Sequence, residues 1–382
     1  MLCIKNGLLH TVAEKEPFTA DILVDNGKII AIGTELAVPE NAEIIDISGL
    51  SVYPGFVDAH CHTGMEGYGI GYEGEDINEM NDPVMPQLRA VDAINPMDPT
   101  LKKAALAGVT CIATGPGSAN TLGGTFAAIK THGKRVDDMI VRDPIAMKCA
   151  FGENPKRCYR DKHISTRMST AALIREALQK ATIYMKQLEA AGDDISKRPA
   201  YDAKSEALLP VLRREIPLKA HAHQANDIFT ALRIAKEFNL DITLEHVTEG
   251  HLIVDELAKE NVPLAVGPLF WHATKFELQN RSNATPGILA AAGCQVSIIT
   301  DATVIPQEFL PMCAGLAVRS GMDEFEALKA ITINPAKHIG IADRVGTLEI
   351  GKDADIVITN GNPFSTETQI QYVFIDGEQI TE

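Results

Sequence analysis

The sequence lacks long hydrophobic runs and any excess of positive charge, and each absence excludes a class of partner. No apolar run in the 382-residue chain approaches the roughly 18 residues that a transmembrane helix needs. The N-terminus MLCIKNGLLHTVAEKE has no basic segment followed by an apolar one, so we predict no secretory signal peptide. The net charge of −16 would repel a nucleic-acid backbone and an anionic membrane surface. We therefore expect a soluble, cytoplasmic protein that binds neither nucleic acid nor membrane.

The sequence also lacks the cysteine spacing of a disulfide framework or of a C-x-x-C motif. Its seven cysteines are odd in number. They are Cys3, Cys61, Cys111, Cys149, Cys158, Cys294 and Cys313. Unpaired thiols, several of them in apolar strand segments, are typical of a cytosolic protein.

Common nucleotide-binding and nucleophile motifs are absent as well. No G-x-G-x-x-G motif follows a predicted strand, so a dinucleotide-binding fold is not indicated. The glycine-rich stretch GPGSANTLGG, residues 115–124, lacks the Gly-Lys-Ser/Thr ending of a phosphate-binding loop. No G-x-S-x-G motif or Cys/His pair competes for the role of nucleophile.

Short β-strands with turn signals predominate at both ends of the chain. Before residue 54 they are LCIKNGLLHTV, ADILVDNGKIIAIG and AEIIDISG, and the Asp-Asn-Gly of the second is a hairpin signal. The C-terminal segments ADIVITNGNP and QYVFIDGEQI also end in Asn-Gly or Asp-Gly turns. We predict that residues 1–53 and 346–382 form one small β-sandwich domain built from both termini.

Between residues 54 and 345 the pattern changes to helices that alternate with apolar strands. Amphipathic segments such as IFTALRIAKEFN lead into strands such as DITLEHV, and the unit repeats along the chain. Apolar strands joined by helices predict a parallel sheet that is buried on both faces. Eight units in about 280 residues fit a (β/α)8 TIM barrel better than an open sheet, so we predict an α/β fold.

Metal-capable side chains lie at the carboxyl ends of these predicted strands, where the active sites of such barrels form. They are His60, His62, Lys148, His221, His246 and Asp301. Side chains two residues apart on a strand point the same way, so His60 and His62 face inward while Cys61 faces the helices. Two converging imidazoles suit Zn²⁺. The alternative is a pair of histidines bonded to backbone carbonyls.

Lys148 needs a separate explanation, because a buried ammonium beside a cation is unfavourable. Burial and the charge of the cation would lower the pKa of Lys148 toward that of a neutral amine. A neutral amine can take up CO₂ to form an anionic carbamate that bridges two metals. In the alternative, the side chain extends to solvent or pairs with Glu153.

Several motifs, taken together, point to one family. They are PGFVDAHCH at residues 54–62, the later strands with single histidines, the Thr-Asp of strand eight and the closing stretch NPAKHIGIADRVGTLEIGKDADIVI. Over essentially the whole chain this set resembles the metal-dependent amidohydrolase superfamily, above all its imidazolonepropionase-like and Xaa-Pro dipeptidase-like branch. The resemblance implies a binuclear zinc centre with His60, His62 and Asp301 on one metal, His221 and His246 on the other, and carboxylated Lys148 as the bridge. The stretch KCAFG around Lys148 is similar to the family's strand-four context.

The implied reaction is hydrolysis of a carbon–nitrogen bond, amide or peptide-like, in a small molecule. Two cations would lower the pKa of a bound water from about 15.7 toward about 7, which makes hydroxide available at neutral pH. Asp301 would accept the proton of that water and pass it to the leaving nitrogen, as general base and then general acid.

Four further residues are candidates for substrate binding. His223 follows His221 in the HAH motif, and His272 follows the strand-seven segment GPLFW. Arg157 and Arg160 lie in GENPKRCYR after strand four, where an arginine could clamp a substrate carboxylate. The alternatives are a solvated loop histidine and a loop whose charges meet only water.

Two other functions are compatible with the sequence. One is a mononuclear deaminase or imidazolonepropionase, but the imidazolonepropionase pattern has a glutamate three residues after the strand-five histidine, where this chain has Gln224. The other is a barrel without catalysis that serves as a binding module. Two, one or no equivalents of bound metal would separate the three functions. The resemblance also implies a homo-oligomer.

Overall fold

The computed structural model of the chain describes residues 1–67, 71–162 and 164–381. Within these ranges the strands form two eight-stranded sheets. The strands are β1 (Leu2–Leu9), β2 (Phe18–Asp25), β3 (Lys28–Gly33), β4 (Glu43–Asp46), β5 (Ser51–Pro54), β6 (Phe56–Cys61), β7 (Val109–Thr114), β8 (Leu122–Lys130), β9 (Ile140–Ala150), β10 (Leu218–Ala222), β11 (Ile242–His246), β12 (Leu264–Val266), β13 (Val296–Ile298), β14 (Ile356–Thr359), β15 (Ile370–Ile375) and β16 (Glu378–Gln379). The α-helices are α1 (Pro99–Leu106), α2 (Val136–Met139), α3 (Glu153–Cys158), α4 (Arg167–Ala191), α5 (Ala203–Leu212), α6 (Ala225–Phe238), α7 (Val254–Glu260), α8 (Thr285–Ala291), α9 (Leu310–Arg319), α10 (Glu324–Lys329) and α11 (Ile333–His338).

The sheet of β6 to β13, here the barrel sheet, follows chain order from one edge to the other. Residues just after the edge strand β13 hydrogen-bond to the other edge strand and its continuation: the Thr300 amide donates to Asp58 Oδ2 at 3.1 Å, and the His62 amide donates to the Ala302 carbonyl at 2.6 Å. Every residue of β6 is buried, as expected for a strand with helices on one face and the barrel interior on the other. The sheet is therefore nearly closed, and a TIM-barrel-like α/β fold is confirmed.

One strand of the barrel sheet corrects the prediction of a wholly parallel barrel. β8 runs antiparallel to both β7 and β9. The connections on either side, residues 115–121 and 131–139, are shorter than the dozen or so residues that a parallel crossover needs. The GPGSANTLGG stretch therefore forms a tight reversal at the carboxyl end of β7.

The predicted amphipathic segments form helices that pack against the barrel sheet. In α6 the buried residues Ile228, Ala231, Leu232 and Ala235 recur at helical spacing, and the helix contacts β10 and β11. α6 ends at Asn239 in the left-handed conformation, as many helices do. In the part of the chain that the structure describes, none of the helices combines the length and apolar character needed to cross a lipid bilayer.

The other sheet, here the terminal sheet, combines strands from both ends of the chain. β14 pairs antiparallel with β5, β5 pairs parallel with the end of β1, and β4 pairs parallel with the beginning of β1, on the edge away from β2. The predicted Asp-Asn-Gly hairpin joins β2 to β3, with Asn26 and Gly27 at φ 48° and 76°. A second layer that would make this sheet a sandwich stays a prediction, as do the domain limits at residues 53 and 345.

Candidate metal centre

The six side chains predicted as metal ligands come from the ends of five strands and lie at one end of the barrel. His60 is in β6 and His62 follows it, while Lys148 is near the end of β9. The other three are His221 in β10, His246 at the end of β11 and Asp301 after β13. In this arrangement two groups of possible ligands form, each with its ligand atoms within 4.8 Å of one another.

The first group contains His60, His62 and Asp301. The Asp301 Oδ1 atom lies 3.6 Å from His60 Nε2 and 3.4 Å from His62 Nε2. In a tetrahedral zinc site with bonds of about 2.0–2.1 Å, the ligand atoms lie about 3.3 Å from one another. The three atoms are therefore spaced as ligands of one small cation.

Hydrogen bonds on the far side of each imidazole orient this first group. His60 Nδ1 lies 3.0 Å from Glu245 Oε2, and His62 Nδ1 lies 2.7 Å from the Gly115 carbonyl oxygen. A carbonyl oxygen only accepts, so the proton of neutral His62 is on Nδ1 and its Nε2 carries a lone pair. Outer partners of this kind are typical of metal-binding histidines.

The second group contains His221, His223 and His246. His246 Nδ1 donates to the Gly267 carbonyl at 2.9 Å, which again leaves Nε2 for a ligand. The His60 and His246 rings have centroids 5.2 Å apart, so the two groups adjoin.

Nitrogen atoms of the second group lack hydrogen-bond partners in the described part of the chain. They are both ring nitrogens of His221 and Nε2 of His246, and all three are buried. A buried polar atom without a partner costs about 1–3 kcal/mol. A divalent cation would satisfy such atoms, so the residues present fit the metal that the sequence predicts.

Burial keeps these imidazoles in the neutral form that binds metal. Burial lowers the pKa of His60, His221 and His223 well below the usual value, and it lowers the pKa of His246 to about 4. Neutral imidazole is therefore the form present at pH 7.

Lys148 is fully buried where the two groups meet. Its Nζ lies 3.1 Å from His60 Nε2 and 5.3 Å from the centre of the Phe126 ring. Burial lowers the pKa of Lys148 to about 8, with Asp301 and Glu245 acting in the opposite direction. The side chain does not extend to solvent, which removes one of the two alternatives considered for it.

Two of the ligand positions have unusual backbone conformations. His246 and Asp301 have φ of 74° and 52°, in the left-handed region that non-glycine residues seldom occupy. Such conformations cost about 1–3 kcal/mol each and concentrate at functional sites. Neighbouring residues of a strand normally face opposite sides. The positive φ of His246 explains why both His246 and Glu245 face the site.

Glu245 is a site residue that the sequence analysis missed. It is fully buried, and its two oxygens accept hydrogen bonds from His60 Nδ1, from Lys219 Nζ at 2.8 Å, from Thr243 Oγ1 at 2.7 Å and from His338 Nε2 at 3.0 Å. The signal that could have revealed it is a lysine in β10 and a glutamate in β11, two charged residues inside neighbouring buried strands.

Glu277 was missed for a different reason. It is 1 % exposed, and its Oε1 atom lies 3.8 Å from His221 Nε2 and 3.6 Å from His223 Nε2. Lys275 Nζ is 2.6 Å from the same oxygen. Glu277 lies in a short turn with no periodic pattern, so nothing in the sequence distinguishes it from a surface acid.

The residues predicted to bind substrate differ in where they lie. His223 is buried with the second group and is not a solvated loop residue. Arg157 and Arg160 are exposed in and just after α3. His272 is exposed and stacks on Trp271 at a centroid distance of 5.4 Å. A role of any of the four in substrate binding stays a prediction.

Comparisons with known proteins identify the family of this chain. The sequence model described as the amidohydrolase family matches residues 51–380. An amidohydrolase, tasK from Hapsidospora irregularis, is 28 % identical over 94 % of this chain, which spans only 39 % of that protein. An imidazolonepropionase from Symbiobacterium thermophilum is 26 % identical over 87 % of this chain and 82 % of its own length.

Among solved structures, the crystal structure of an amidohydrolase from Thermotoga maritima MSB8 is similar over the full length of both chains. Its sequence is 42 % identical to this one, and the TM-score is 0.96. The family match extends from the last strand before the barrel to the end of the terminal sheet. The chain therefore belongs to the amidohydrolase family, and the predicted resemblance and the predicted enzyme class, a hydrolase of carbon–nitrogen bonds, are confirmed.

Proposed function

We propose that this protein hydrolyses an amide or peptide-like carbon–nitrogen bond of a small molecule with two divalent metal ions, Zn²⁺ in the first instance. The observation that carries the proposal is the pair of adjoining ligand groups at one barrel end, with unpartnered imidazole nitrogens in one of them. Bound there, the cations would supply Lewis acidity and a water of lowered pKa.

The proposed ligands divide between the two groups. His60, His62 and Asp301 would hold one ion, and His221 and His246 the other. Lys148 lies at the junction, 3.1 Å from a ligand atom of the first group. As a carbamate, formed when its neutral amine adds to CO₂ and releases a proton, it would offer one oxygen to each ion.

Asp301 is proposed as the residue that moves the proton. It is the one carboxylate of the first group, and its side chain is 16 % exposed while that of His60 is fully buried. It therefore faces both the ligand nitrogens and the open end of the barrel. From this position it would accept a proton from water and deliver it to the leaving nitrogen.

Metal content and activity test the proposal together. Purified protein prepared with zinc and bicarbonate is expected to hold two equivalents, and to release amine or ammonia from some member of a panel of dipeptides, N-acyl amino acids, lactams and cyclic amidines. Chelation should abolish that activity, and added metal should restore it. A protein that binds no metal under these conditions would rule the proposal out.

A second candidate is an imidazolonepropionase-like hydrolase or deaminase with one metal. The similarity to a protein of that name favours it. Against it, the position of the expected glutamate is Gln224, whose side-chain oxygen accepts a hydrogen bond from Arg167. An amide cannot exchange a proton with substrate as a carboxylate does. One equivalent of metal and turnover of cyclic amides alone would favour this candidate.

For substrate selection we propose that Arg157 or Arg160 binds a carboxylate of the substrate and that His272 lines its path. Replacement by alanine of the arginine that binds the carboxylate should raise KM for carboxylate-bearing substrates at least tenfold, since a charge-assisted bond contributes about 1.5–3 kcal/mol. Unchanged KM in Arg157→Ala, Arg160→Ala and His272→Ala would exclude all three residues. We also propose a homo-oligomer, which light scattering would test.

A further inference from the structure

We infer that His223 and Glu277 are two further ligands of the second ion, beside His221, His246 and the proposed carbamate of Lys148. This inference rests on the proposed function, because it concerns one of the two ions proposed there. It replaces a role of His223 in substrate binding with a role in holding the metal.

The first argument is the shape of the second group. Its three imidazole rings form a nearly equilateral triangle, with centroid distances of 4.7 Å for His221–His223, 4.5 Å for His223–His246 and 4.3 Å for His221–His246. His223 is 3 % exposed, so it is as much a part of this triangle as the other two. The ligand nitrogens of the three rings lie within 4.8 Å of one another, and three imidazoles are a ligand set typical of zinc.

The second argument is the orientation of the His223 ring. Its Nδ1 lies 2.7 Å from Thr248 Oγ1, a partner on the side away from the triangle. When Nδ1 donates to that hydroxyl, Nε2 keeps its lone pair for a cation. His62 and His246 are oriented in the same way, through Nδ1, by backbone carbonyls.

The third argument is the position of Glu277. Its Oε1 is 3.6 Å from His223 Nε2 and 3.8 Å from His221 Nε2, near the spacing of about 3.3 Å between ligand atoms of one zinc ion, while Glu277 lies outside the group whose ligand atoms are all within 4.8 Å of one another. Its other oxygen accepts a hydrogen bond of 2.9 Å from the Glu153 amide. A pair with Lys275 accounts for the charge of Glu277 but leaves the neighbouring Nε2 of His221 without a hydrogen-bond partner.

Gly152 leaves the space that the Glu277 carboxylate occupies. Gly152 has φ 81°, and a Cβ atom there would lie 2.5 Å from Glu277 Oε2. Any other residue would displace the glutamate or strain the backbone. The end of β9 is thus shaped to admit Glu277 to the second group.

The test is a metal titration of the full-length protein, stripped of metal and loaded with Zn²⁺ or Co²⁺ against a competing chelator. Wild-type protein should hold two equivalents. His223→Ala should bind one equivalent of metal with unchanged affinity and the other with an affinity lower by about 100-fold or more. Loss of a residue that merely hydrogen-bonds to a ligand already lowers metal affinity by about 10–100-fold. Glu277→Gln should weaken the same equivalent, and the visible absorption of the Co²⁺ forms should change in both variants.

His251→Ala is the matched control. His251 Nδ1 also contacts a threonine hydroxyl, Thr285 Oγ1, at 2.9 Å, but this histidine lies outside both ligand groups. The control should keep both equivalents at wild-type affinity. Circular dichroism of the metal-free proteins checks folding, and if His223→Ala does not fold, Glu277→Gln and Thr248→Val decide by the same titration.

The outcomes separate this inference from the proposed function. Two tight equivalents in His223→Ala and Glu277→Gln, with a rise in KM alone, would overturn the inference and leave the binuclear hydrolase standing. A wild-type protein that holds no metal would instead overturn the proposed function. Selective loss of one equivalent in both variants supports the inference.

Discussion

At the scale of single residues, the site depends on buried charges that are each compensated by a specific partner. Glu245 is the clearest case, because one carboxylate orients His60 and neutralises Lys219 at the same time. Burial raises the pKa of Glu245, but Lys219 and His338 lower it more, so the net shift is well below the usual value. Glu245 is therefore ionised at neutral pH.

Replacing Glu245 by glutamine should affect both metal binding and stability. The first ion should bind about 10–100-fold more weakly, because His60 loses the acceptor that orients it. The metal-free protein should lose about 3–5 kcal/mol of unfolding free energy, since Lys219 is left buried without a counter-charge. Chelator competition and urea unfolding measure the two effects.

The control for this prediction is Glu237→Gln. Glu237 pairs with Arg175 at the surface, where such a pair contributes about 1 kcal/mol or less. Equal effects of the two substitutions would show that Glu245 has no special role.

Lys148→Met tests the proposed carbamate. Wild-type protein loaded with zinc in ¹³C-bicarbonate should show one carbamate resonance by ¹³C NMR, and Lys148→Met should lack it and hold fewer than two equivalents of metal. The buried lysines Lys130 and Lys219 remain in the variant and act as internal controls. A resonance that persists in the variant would assign the carbamate elsewhere, and none in the wild type would exclude it.

At the scale of elements, the connections that follow the strands place the ligands. The tight reversal from β7 to the antiparallel β8 brings the Gly115 carbonyl to His62. The turn from β9 into α3 passes through Gly152, beside Glu277. These short connections therefore matter to the site as much as the strands that carry the ligands.

Gly152→Ala should disturb the site through the turn. The positive φ alone should cost about 1–2 kcal/mol for alanine, and the contact with Glu277 should in addition weaken binding of the second ion. Gly192→Ala is the control, because Gly192 has φ 54° but nothing within 4 Å of an added Cβ. It should lose similar backbone stability and keep metal affinity, as measured by urea unfolding and chelator competition. Wild-type metal affinity in Gly152→Ala would contradict the prediction.

At the scale of the whole molecule, a buried ion cluster joins the barrel sheet to the terminal sheet. Lys130, at the end of β8, lies 2.7 Å from Asp355, 3.0 Å from Asp353 and 3.1 Å from Asp376. Arg344 also pairs with Asp353, at 2.8 Å. The antiparallel β8 is the strand that brings this lysine to the other sheet.

Lys130→Met should lower the unfolding free energy by about 3–5 kcal/mol at pH 7, because it leaves buried carboxylates without their partner. Burial raises the pKa of Asp353, but Lys130 and its other partners lower it below the usual value. The stabilisation that ionised Asp353 contributes is therefore fully present above the ordinary aspartate pKa of about 3.9. It is lost as the pH falls through the lower pKa that Asp353 has in the folded protein. The difference in unfolding free energy between wild type and Lys130→Met should therefore become smaller below about pH 4.

Urea unfolding at several pH values measures this prediction. Lys180→Met is the control, because it breaks an exposed pair with Asp202 and should cost about 1 kcal/mol or less. A difference between wild type and Lys130→Met that grows on acidification would contradict the assigned role of Asp353.

The local pattern of the chain was sufficient to predict the barrel and most of the residues that form the two groups of possible ligands. Strand alternation is local, so the two-residue spacing of His60 and His62 already implied a common face. Parallel strands of a barrel end at one face, so Lys148, His221 and Asp301 were predicted to lie together without any knowledge of distances. The Asp-Asn-Gly hairpin was likewise predictable, because its φ angles depend on the residues of the turn themselves.

Other features were decided by contacts between residues far apart in sequence. His223 and Glu277 are separated by 54 positions, and only the packed barrel brings their side chains within 3.6 Å. The hydrogen-bond partners of Glu245 come from β6, β10 and α11. The antiparallel direction of β8 accompanies the short connections on either side of it. The sequence by itself determined which strands end in ligand-type residues, because that pattern is local. Only the tertiary structure decided which of those residues lie together in one group of possible ligands and which buried charges contact them, because those distances arise from long-range packing.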